Sequence, residues 1–320
     1  MAMPEISIIV ANWNGEKFLR EGLASLWESA LAAGRSFELI VVDDASSDGS
    51  VALIQREFPQ VRLLINSENQ RFARASNRGA REAQGRILVM VNNDVIAPPD
   101  FVARIAAPFF EPPDPRRPLF AVGAKTVDWD NGAPNHLCMT PAWRRGGIGK
   151  EWSDPAGRCE PAYVQGGAAA YDRAMFLQLG GFDPLYSPGY WEDYDLSYRA
   201  AKAGWRTLYE PAAVARHLGK GSLIRLLGAN RLEQLDERNR LWFVWLNLDD
   251  PLLWCRHLLA IPWVYARDLA TGKGMNGVLG FLRALGGIGR VRRARRRRRR
   301  QTDPPTQCSD RKIMGRLKAD

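Results

Sequence analysis

Residues 39–50 read LIVVDDASSDGS, and this short stretch decides the fold. It begins with an aliphatic run typical of a strand buried on both faces, and it ends in a Ser/Asp/Gly-rich turn that opens a helix. Further aliphatic runs occupy residues 6–11, 61–65 and 87–91, and helical periodicity occupies residues 16–33, 50–58 and 73–84. The alternation predicts an α/β domain built on a mostly parallel sheet with right-handed crossovers.

Polar residues follow the predicted strands, where ligands bind in sheets of this kind. Asn12 follows the first strand, Asp43 the second, and Asn93 and Asp94 the fourth. A carboxylate at the position of Asp43 can accept hydrogen bonds from a base or a ribose, whereas Asp48 suits capping of the next helix. Neither GxGxxG after the first strand nor GxxxxGK[ST] is present in the sequence, which disfavours nicotinamide enzymes and P-loop NTPases.

Without those loops, phosphates need another counter-charge, and a divalent metal ion is the obvious supplier. Asp94 can hold Mg²⁺ or Mn²⁺ against a diphosphate, since these hard ions favour oxygen ligands. One Asp after a strand is also common in ordinary turns. His217, between an apolar run and a Gly-rich turn, is either a second metal ligand or a structural histidine.

The densest acidic cluster outside the tail is GYWEDYDLSYR, residues 189–199. Adjacent carboxylates beside aromatic residues raise one another's pKa, which suits a general base. The alternative is an acidic first turn matched to the helix dipole, which fits Asp195 and its possible partner Arg199. Glu192 and Asp193 fit that alternative less well because they precede the periodic part of a helix expected over 194–203.

Taken together, these strings resemble the family 2 glycosyltransferases, which have the GT-A fold, and among them a rhamnosyltransferase-like bacterial subgroup. The matching strings run in order over residues 4–222: SIIVANWNG, VVDDASSDGS, NQRFARASNRGAREAQGR with ILVMVNND, QGGAAAYDRAMFLQLGGFDP, YWEDYDLSYRAAKAGW and VARHLGKGS. The resemblance implies the GT-A fold, a Rossmann-like and mostly parallel sheet. It also implies an inverting, metal-dependent transfer from a UDP-, dTDP- or GDP-sugar to a hydroxyl of a glycan or lipid-linked acceptor.

The resemblance also implies roles for individual residues. Asp193 would be the general base with Glu192 beside it, and Asp94 would bind Mg²⁺ or Mn²⁺, joined by His217. The residues expected near the nucleotide or sugar are Asn12, Asp43, Arg71, Asn77, Asn93, Gly166 and Gly167. Arg71 stands where relatives often have glycine.

Charge and composition divide the chain. Nine arginines between Arg290 and Arg300 carry most of the net charge of +10, so the remainder is nearly neutral (+1). We predict a catalytic domain over 1–222, a helical, membrane-associating extension over 223–289, and a polybasic, disordered tail over 290–320. The tail either meets anionic lipid, contacts nucleic acid, or is simply solvated; the first is favoured, and no specific nucleic-acid partner is expected.

Four widely spaced cysteines and the absence of a leader-like or membrane-spanning run predict a cytoplasmic protein. The arginine tail, the tryptophan-bearing helices before it and the family resemblance predict a peripheral location on the inner face of the plasma membrane. Two competing functions stay open. One is a nucleotidyltransferase that makes sugar nucleotides, although the Gly-rich basic loop typical of that class is missing after the first strand. The other is a non-catalytic relative that binds a sugar nucleotide. A nucleic-acid-binding protein is the least favoured class.

Overall fold

The computed structural model describes residues 3–136, 138–217, 226–272, 274–300, 304 and 306–315. Its strands are β1 (Ile6–Asn12), β2 (Phe37–Asp43), β3 (Arg62–Ile65), β4 (Ile87–Asn92), β5 (Val95–Ile96), β6 (Leu119–Asp128), β7 (Pro134–His136), β8 (Cys138–Arg144), β9 (Gly147–Ser153), β10 (Ala168–Asp172) and β11 (Arg206–His217). Within the described residues, nine of these strands form one sheet in the order β3-β2-β1-β4-β10-β6-β11-β5, with β7 paired to β6.

The first four strands are parallel, as their aliphatic runs predict. Beyond β4 the sheet is mixed: β10 runs antiparallel to both β4 and β6, β11 runs parallel to β6, and β5 runs antiparallel to β11. The prediction of a mostly parallel α/β sheet is therefore confirmed, while the simple β-then-α repeat ends after β4.

The helices are α1 (Glu16–Ala32), α2 (Ser50–Glu57), α3 (Arg71–Glu82), α4 (Phe101–Ala106), α5 (Arg173–Gln178), α6 (Glu192–Lys202), α7 (Ala229–Asn247), α8 (Pro251–Thr271), α9 (Met275–Gly286), α10 (Ile288–Arg300) and α11 (Asp310–Gly315). Alternate residues of the central strands face opposite layers, because successive side chains of a strand point to opposite sides. Ile8 and Val10 pack with Leu19 and Leu23 of α1, whereas Ile9 packs on the layer of α3, α5 and α6.

Two local predictions differ from the structure. The first concerns the stretch from Asp128 to Pro161, whose Gly-, Pro-, Trp- and Arg-rich sequence without periodicity predicts an irregular excursion. The structure has β7 and the β8–β9 hairpin there. The hairpin is hard to recognise in the sequence because, within the described residues, its two strands pair only with each other. It buries Met139 and Ile148 and leaves the last residues of β9 exposed. The second difference is that α6 begins at Glu192, so Glu192 and Asp193 belong to its first turn.

Helix α7 packs directly on the catalytic α/β layers. Phe243 meets the rings of Tyr194 and Tyr198 on α6 edge-on, with centroids 4.7 and 5.1 Å apart. Trp242 is also buried, and its indole donates to the carbonyl of Ala284 on α9. The predicted boundary at 222/223 lies outside the described residues, and the domain division stays a prediction.

The arginine run differs from the disordered tail predicted for 290–320. Residues 288–300 form α10, and α11 follows after a connection. The physical reason is that α10 packs Val291 and Ala294 inward and finds carboxylate partners for several of its arginines. Of the predicted tail, residues 301–303, 305 and 316–320 are not among those described. No helix of the described chain combines the length and apolar character needed to cross a bilayer.

Candidate active site

A cavity of about 500 Å³ opens at the carboxyl ends of β1, β2 and β4. Because these strands are parallel and neighbouring, their last residues meet: Asn12 stands opposite Asp43, and Ala11 stands opposite Asn92. The residues that line the cavity include most of the predicted set: Asn12, Arg71, Asn93, Asp94, Gly166, Gly167, Glu192, Asp193 and His217. Asp43 and Asn77 do not line it.

Asp43 lies beneath the cavity wall and is completely buried. Its carboxylate accepts from the amide of Asn12 at 2.9 Å and from the backbone N–H and hydroxyl of Ser46 at 2.9 and 2.7 Å. Asn12 in turn accepts from the amide of Asn93 at 2.8 Å. Asp43 therefore orients Asn12, which itself reaches the cavity, rather than presenting a free oxygen there.

The next residue, Asp44, does line the cavity. One of its oxygens accepts from the amide of Asn66 at 2.6 Å, and its two oxygens accept from the backbone N–H groups of Gln70 and Arg71 at 2.9 and 2.7 Å. These bonds fix the start of α3, where Arg71 has a φ of +71°. Few residues other than glycine adopt that conformation, so it explains why glycine is the common residue here in the resembled family. The Arg71 guanidinium lies 5.9 Å from the ring centre of Trp13, another cavity residue.

Asn77 has a different place from the one predicted. Its amide donates to the carbonyl of Phe182 at 2.8 Å, and its side-chain oxygen accepts from the Phe182 backbone N–H at 2.9 Å. Asn77 thus ties α3 to the loop after α5, outside the cavity.

Asp94 and His217 come together from distant parts of the chain. Strand β5 pairs with the end of β11, and His217 Nε2 lies 3.0 Å from Asp94 Oδ1. Both side chains are buried and both line the cavity. A carboxylate and an imidazole side by side form a donor set that a hard divalent ion accepts. The described part of the chain holds no group of three or more His, Cys, Asp or Glu that could bind a metal.

Gly166 and Gly167 line the cavity just before β10, beside the carboxyl end of β4. A Cβ at Gly167 would lie 2.4 Å from the amide nitrogen of Asn92, so any larger residue there would displace the Asn92 side chain. The N–H of Gly166 donates to Asp193 Oδ2 at 3.2 Å, and the N–H of Tyr194 donates to Asp193 Oδ1 at 2.8 Å. These two donors hold the Asp193 carboxylate in one orientation.

The backbone that leads into α6 is strained. Tyr190 and Trp191 both have positive φ, at 68° and 78°, which is unfavourable for bulky residues and recurs at functional sites. Helix α7 holds this turn in place. The Asn239 amide donates to the carbonyls of Tyr186, Gly189 and Tyr190, and the Trp191 indole donates to Asp236 at 2.8 Å.

The pair Glu192–Asp193 has unusual proton affinity. Burial, followed by the charge of Asp193, raises the pKa of Glu192 to about 8. Burial likewise raises the pKa of Asp193, while Lys150 and the Gly166 N–H oppose that rise. In the described residues, Glu192 Oε2 has no hydrogen-bond partner. The pair can therefore keep one proton near neutral pH, which suits a group that must accept a proton from a substrate.

Several cavity residues escape prediction from the sequence. Lys150 and Trp152 reach the cavity from β9, Asp236 from α7, and Tyr190 from the strained turn. Asp44 could have been found from the paired carboxylates of residues 43–44. The others carry no local signal, because long-range packing alone brings them to the site.

Comparisons with known proteins agree with this geometry. Residues 7–121 match the family model described as Glycosyl transferase family 2. The match covers the part of the chain that contains β1 to β4 and ends within β6. This assigns the enzyme class, a glycosyltransferase, and agrees with the predicted family.

One relative of this glycosyltransferase is the N-acetylglucosaminyl-diphospho-decaprenol L-rhamnosyltransferase of Mycobacterium tuberculosis, 26% identical over 242 residues, which are 66% of this chain and 75% of the relative. Two solved structures share the fold. GalNAc-T7 with UDP, GalNAc and Mn²⁺ has a TM-score of 0.58 at 15% identity, covering 84% of this chain and 58% of that longer one. The mannosyltransferase PcManGT of Pyrobaculum calidifontis, with GDP-Man and Mn²⁺, has a TM-score of 0.54 at 19% identity and covers 93% and 85%. These neighbours confirm the GT-A-like architecture.

Proposed function

We propose that this glycosyltransferase moves a sugar from a nucleotide diphosphate donor to a hydroxyl group of a lipid-linked or polysaccharide acceptor, with inversion at the anomeric carbon. The observation that carries the proposal is that Asp94 and Asp193 line the same cavity, one beside His217 and the other held by the Gly166 N–H. We assign the first carboxylate to the diphosphate and the second to the attacking hydroxyl.

The donor side of the cavity is the edge formed by Asn12, Asp44, Arg71 and Asn93. Asn12 and Asn93 present amides ordered by Asp43, and Arg71 presents a cation beside Trp13. These groups suit a nucleoside and its phosphates: amides and carboxylates bind base or ribose, and the guanidinium binds phosphate oxygens. The identity of the donor nucleotide, UDP, dTDP or GDP, is left to experiment.

Asp94 and His217 would hold a divalent cation, Mg²⁺ or Mn²⁺, with the donor diphosphate supplying further oxygens. When bound, the cation would neutralise charge that develops on the departing nucleoside diphosphate. The relatives in fold, GalNAc-T7 and PcManGT, carry Mn²⁺ in their solved structures.

Asp193 acts as the general base. It takes the proton of an acceptor hydroxyl while that oxygen bonds to the anomeric carbon and the bond to the diphosphate oxygen breaks. A single displacement of this kind inverts the anomeric configuration. With the pKa of Glu192 raised to about 8, the coupled pair holds one proton at neutral pH and carries one negative charge. The N–H donors of Gly166 and Tyr194 favour that charge on Asp193.

The acceptor side is proposed to face a membrane. On α8 and α9 the exposed residues are nearly all apolar, and the most exposed large ones are Leu259 (79%) and Trp263 (74%). The charged residues on this surface are Arg256, Arg267 and Arg283. Apolar side chains among arginines suit an interface that contains anionic lipid. The named substrate of the mycobacterial relative, a diphospho-decaprenol, is a lipid of this kind.

The first experiment measures nucleotide release from UDP-, dTDP- and GDP-sugars, with and without Mn²⁺ or Mg²⁺, using crude membrane lipid as acceptor. Wild type is compared with Asp94→Ala and Asp193→Asn, and the conserved fold of each variant is checked by its unfolding curve. We expect turnover of one donor that requires the cation and falls at least about 10²-fold in both variants. Turnover that survives in Asp193→Asn would overturn its assignment as base, and a retained anomeric configuration in the product would overturn the single displacement.

The membrane face is tested by sedimentation with vesicles. Leu259→Glu/Trp263→Glu should abolish binding to phosphatidylglycerol-containing vesicles, while Leu31→Glu, an exposed residue of α1, should not. Equal binding by all three proteins would place the contact elsewhere, and concentration-dependent dimers lost in the double variant would make the face a protein interface instead.

A further inference from the structure

Arg298 is the fourth of the six consecutive arginines at 295–300, and it does not face solvent. Its side chain is only 12% exposed and reaches from α10 between the loop after α5 and helix α6. Its guanidinium donates to Asp183 Oδ2 at 2.7 Å and to the two oxygens of Asp195 at 2.9 and 2.8 Å. It also donates to the side-chain oxygen of Asn247, at the end of α7, at 3.1 Å.

The two carboxylates that Arg298 joins are buried. Asp195 is fully buried, and it also accepts from Arg199, from the Tyr186 hydroxyl and from the Asn247 amide. Arg199 uses its remaining donors on the carbonyls of Leu179 and Gly181. Arg199 thus pairs with Asp195 alone, and the half-exposed Arg297 pairs with Asp183 alone. Among the described side chains of this cluster, only Arg298 contacts both carboxylates.

The place of this cluster in the fold gives it a functional meaning. Asp183 and Asp195 stand at the two ends of a segment that contains the strained turn at Tyr190–Trp191 and the Glu192–Asp193 pair. By bonding to both ends, Arg298 closes this segment into a fixed loop. Its neighbour Arg295 donates to the carbonyls of Trp245 and Leu248, so α10 is attached to α7 at the same point.

We propose that Arg298 is a positioning residue for the catalytic segment, and that the arginine run serves the active site as well as the protein surface. The inference rests on the proposed role of Asp193 as the base. Arg298 is not among the residues that line the cavity; it acts by holding the start of α6, and through it the Asp193 carboxylate, against Gly166. A planar fork is needed because one residue must meet two carboxylates, a geometry that the single ammonium group of lysine does not reproduce.

The test compares Arg298→Lys with a matched control, Arg296→Lys, an exposed residue of the same helix. Arg298→Lys keeps the charge, so the protein should remain folded. Arg298→Met, which leaves the carboxylates one cation short, is expected to unfold more easily, and Arg298→Met/Asp183→Asn should recover part of that stability. Each protein is assayed in detergent solution with a saturating acceptor.

For Arg298→Lys we expect kcat to fall on the order of 10²-fold, since a displaced catalytic group costs about that much, with the donor KM unchanged. Amide hydrogen exchange over residues 187–199 should become faster than in wild type, while exchange in β1 and β4 stays the same. Arg296→Lys should match wild type in both measurements.

Wild-type kcat in Arg298→Lys, or exchange over 187–199 equal to that of the control, would overturn the inference. So would a parallel loss of kcat, donor binding and global stability, because that pattern belongs to a purely structural residue. The exchange measurement needs no turnover. If exchange over residues 187–199 is faster in Arg298→Lys but no donor turns over even in wild type, Arg298 still holds this segment in place. In that case only the proposed function is overturned.

Discussion

Replacing Glu192 by glutamine should stabilise the protein in a way that grows with pH. The carboxyl of Glu192 is buried, 8% exposed, and its pKa rises from 4.5 to about 8 on folding. Between these values the folded protein keeps a proton that the unfolded chain releases, so stability falls as pH rises through that window. At about 1.36 kcal/mol per pH unit, the whole gap corresponds to about 5 kcal/mol. Glutamine resembles the protonated acid but does not titrate.

The assay is urea unfolding of wild type and Glu192→Gln at several values between pH 5 and pH 8. We expect the two free energies of unfolding to be similar near pH 5 and to diverge by a few kcal/mol at pH 8, with the variant more stable. Glu21→Gln, at an exposed position on α1, serves as the control and should show no such divergence. Parallel pH profiles for wild type and Glu192→Gln would refute the claim that a neutral carboxyl is buried beside Asp193.

Three further predictions concern the cavity. Arg71→Gly relieves the strain of a side chain at a backbone φ of +71°, so we expect the free energy of unfolding, measured with urea, to rise by about 1 kcal/mol. The donor KM, measured by donor titration, should increase because the guanidinium is lost. Gly167→Ala places a Cβ 2.4 Å from the amide of Asn92, and a loss of about 1–3 kcal/mol of stability should follow; an unchanged unfolding curve would contradict the tight contact. Lys150→Met removes the charge that lowers the pKa of Asp193, so the acid limb of the kcat–pH profile should move to higher pH. Lys150→Arg should restore the wild-type profile, and a limb that does not move would show that Lys150 has no electrostatic influence on the base.

The first half of the fold follows from the sequence because parallel strands buried on both faces must be continuously aliphatic. Residues 6–11, 39–42 and 87–91 therefore stand out, and the polar residues at their ends could be expected to meet. Asp94 and Asn12 come together at the cavity for this reason. The pairing of Asp94 with His217 depends on β5 meeting β11, a contact across 123 positions for which no local pattern exists.

Elsewhere the local pattern misleads. The arginine run has the composition of a repelling, disordered tail, yet its partners Asp183 and Asp195 are supplied from more than 100 positions away. Asp43 was expected to touch the nucleotide because it ends a strand, but its neighbours Asn12 and Ser46 occupy its oxygens. Helix α6 begins two residues earlier than its periodicity indicates, since the turn before it is held by Asn239 rather than by its own sequence.

If the exposed face of α8 rests on a membrane as proposed, the β8–β9 hairpin sets the distance between that membrane and the cavity. The bend of the hairpin presses Gly146 against α8 so closely that a Cβ there would lie 2.6 Å from that of Ala260. The same hairpin brings Lys150 and Trp152 to the cavity. The hairpin thus connects the packed side of α8 to the cavity in which the acceptor hydroxyl is proposed to bind. The enzyme should then select acceptors by length as well as by chemistry. Changing the length of the spacer between lipid and sugar should change turnover while donor affinity stays constant.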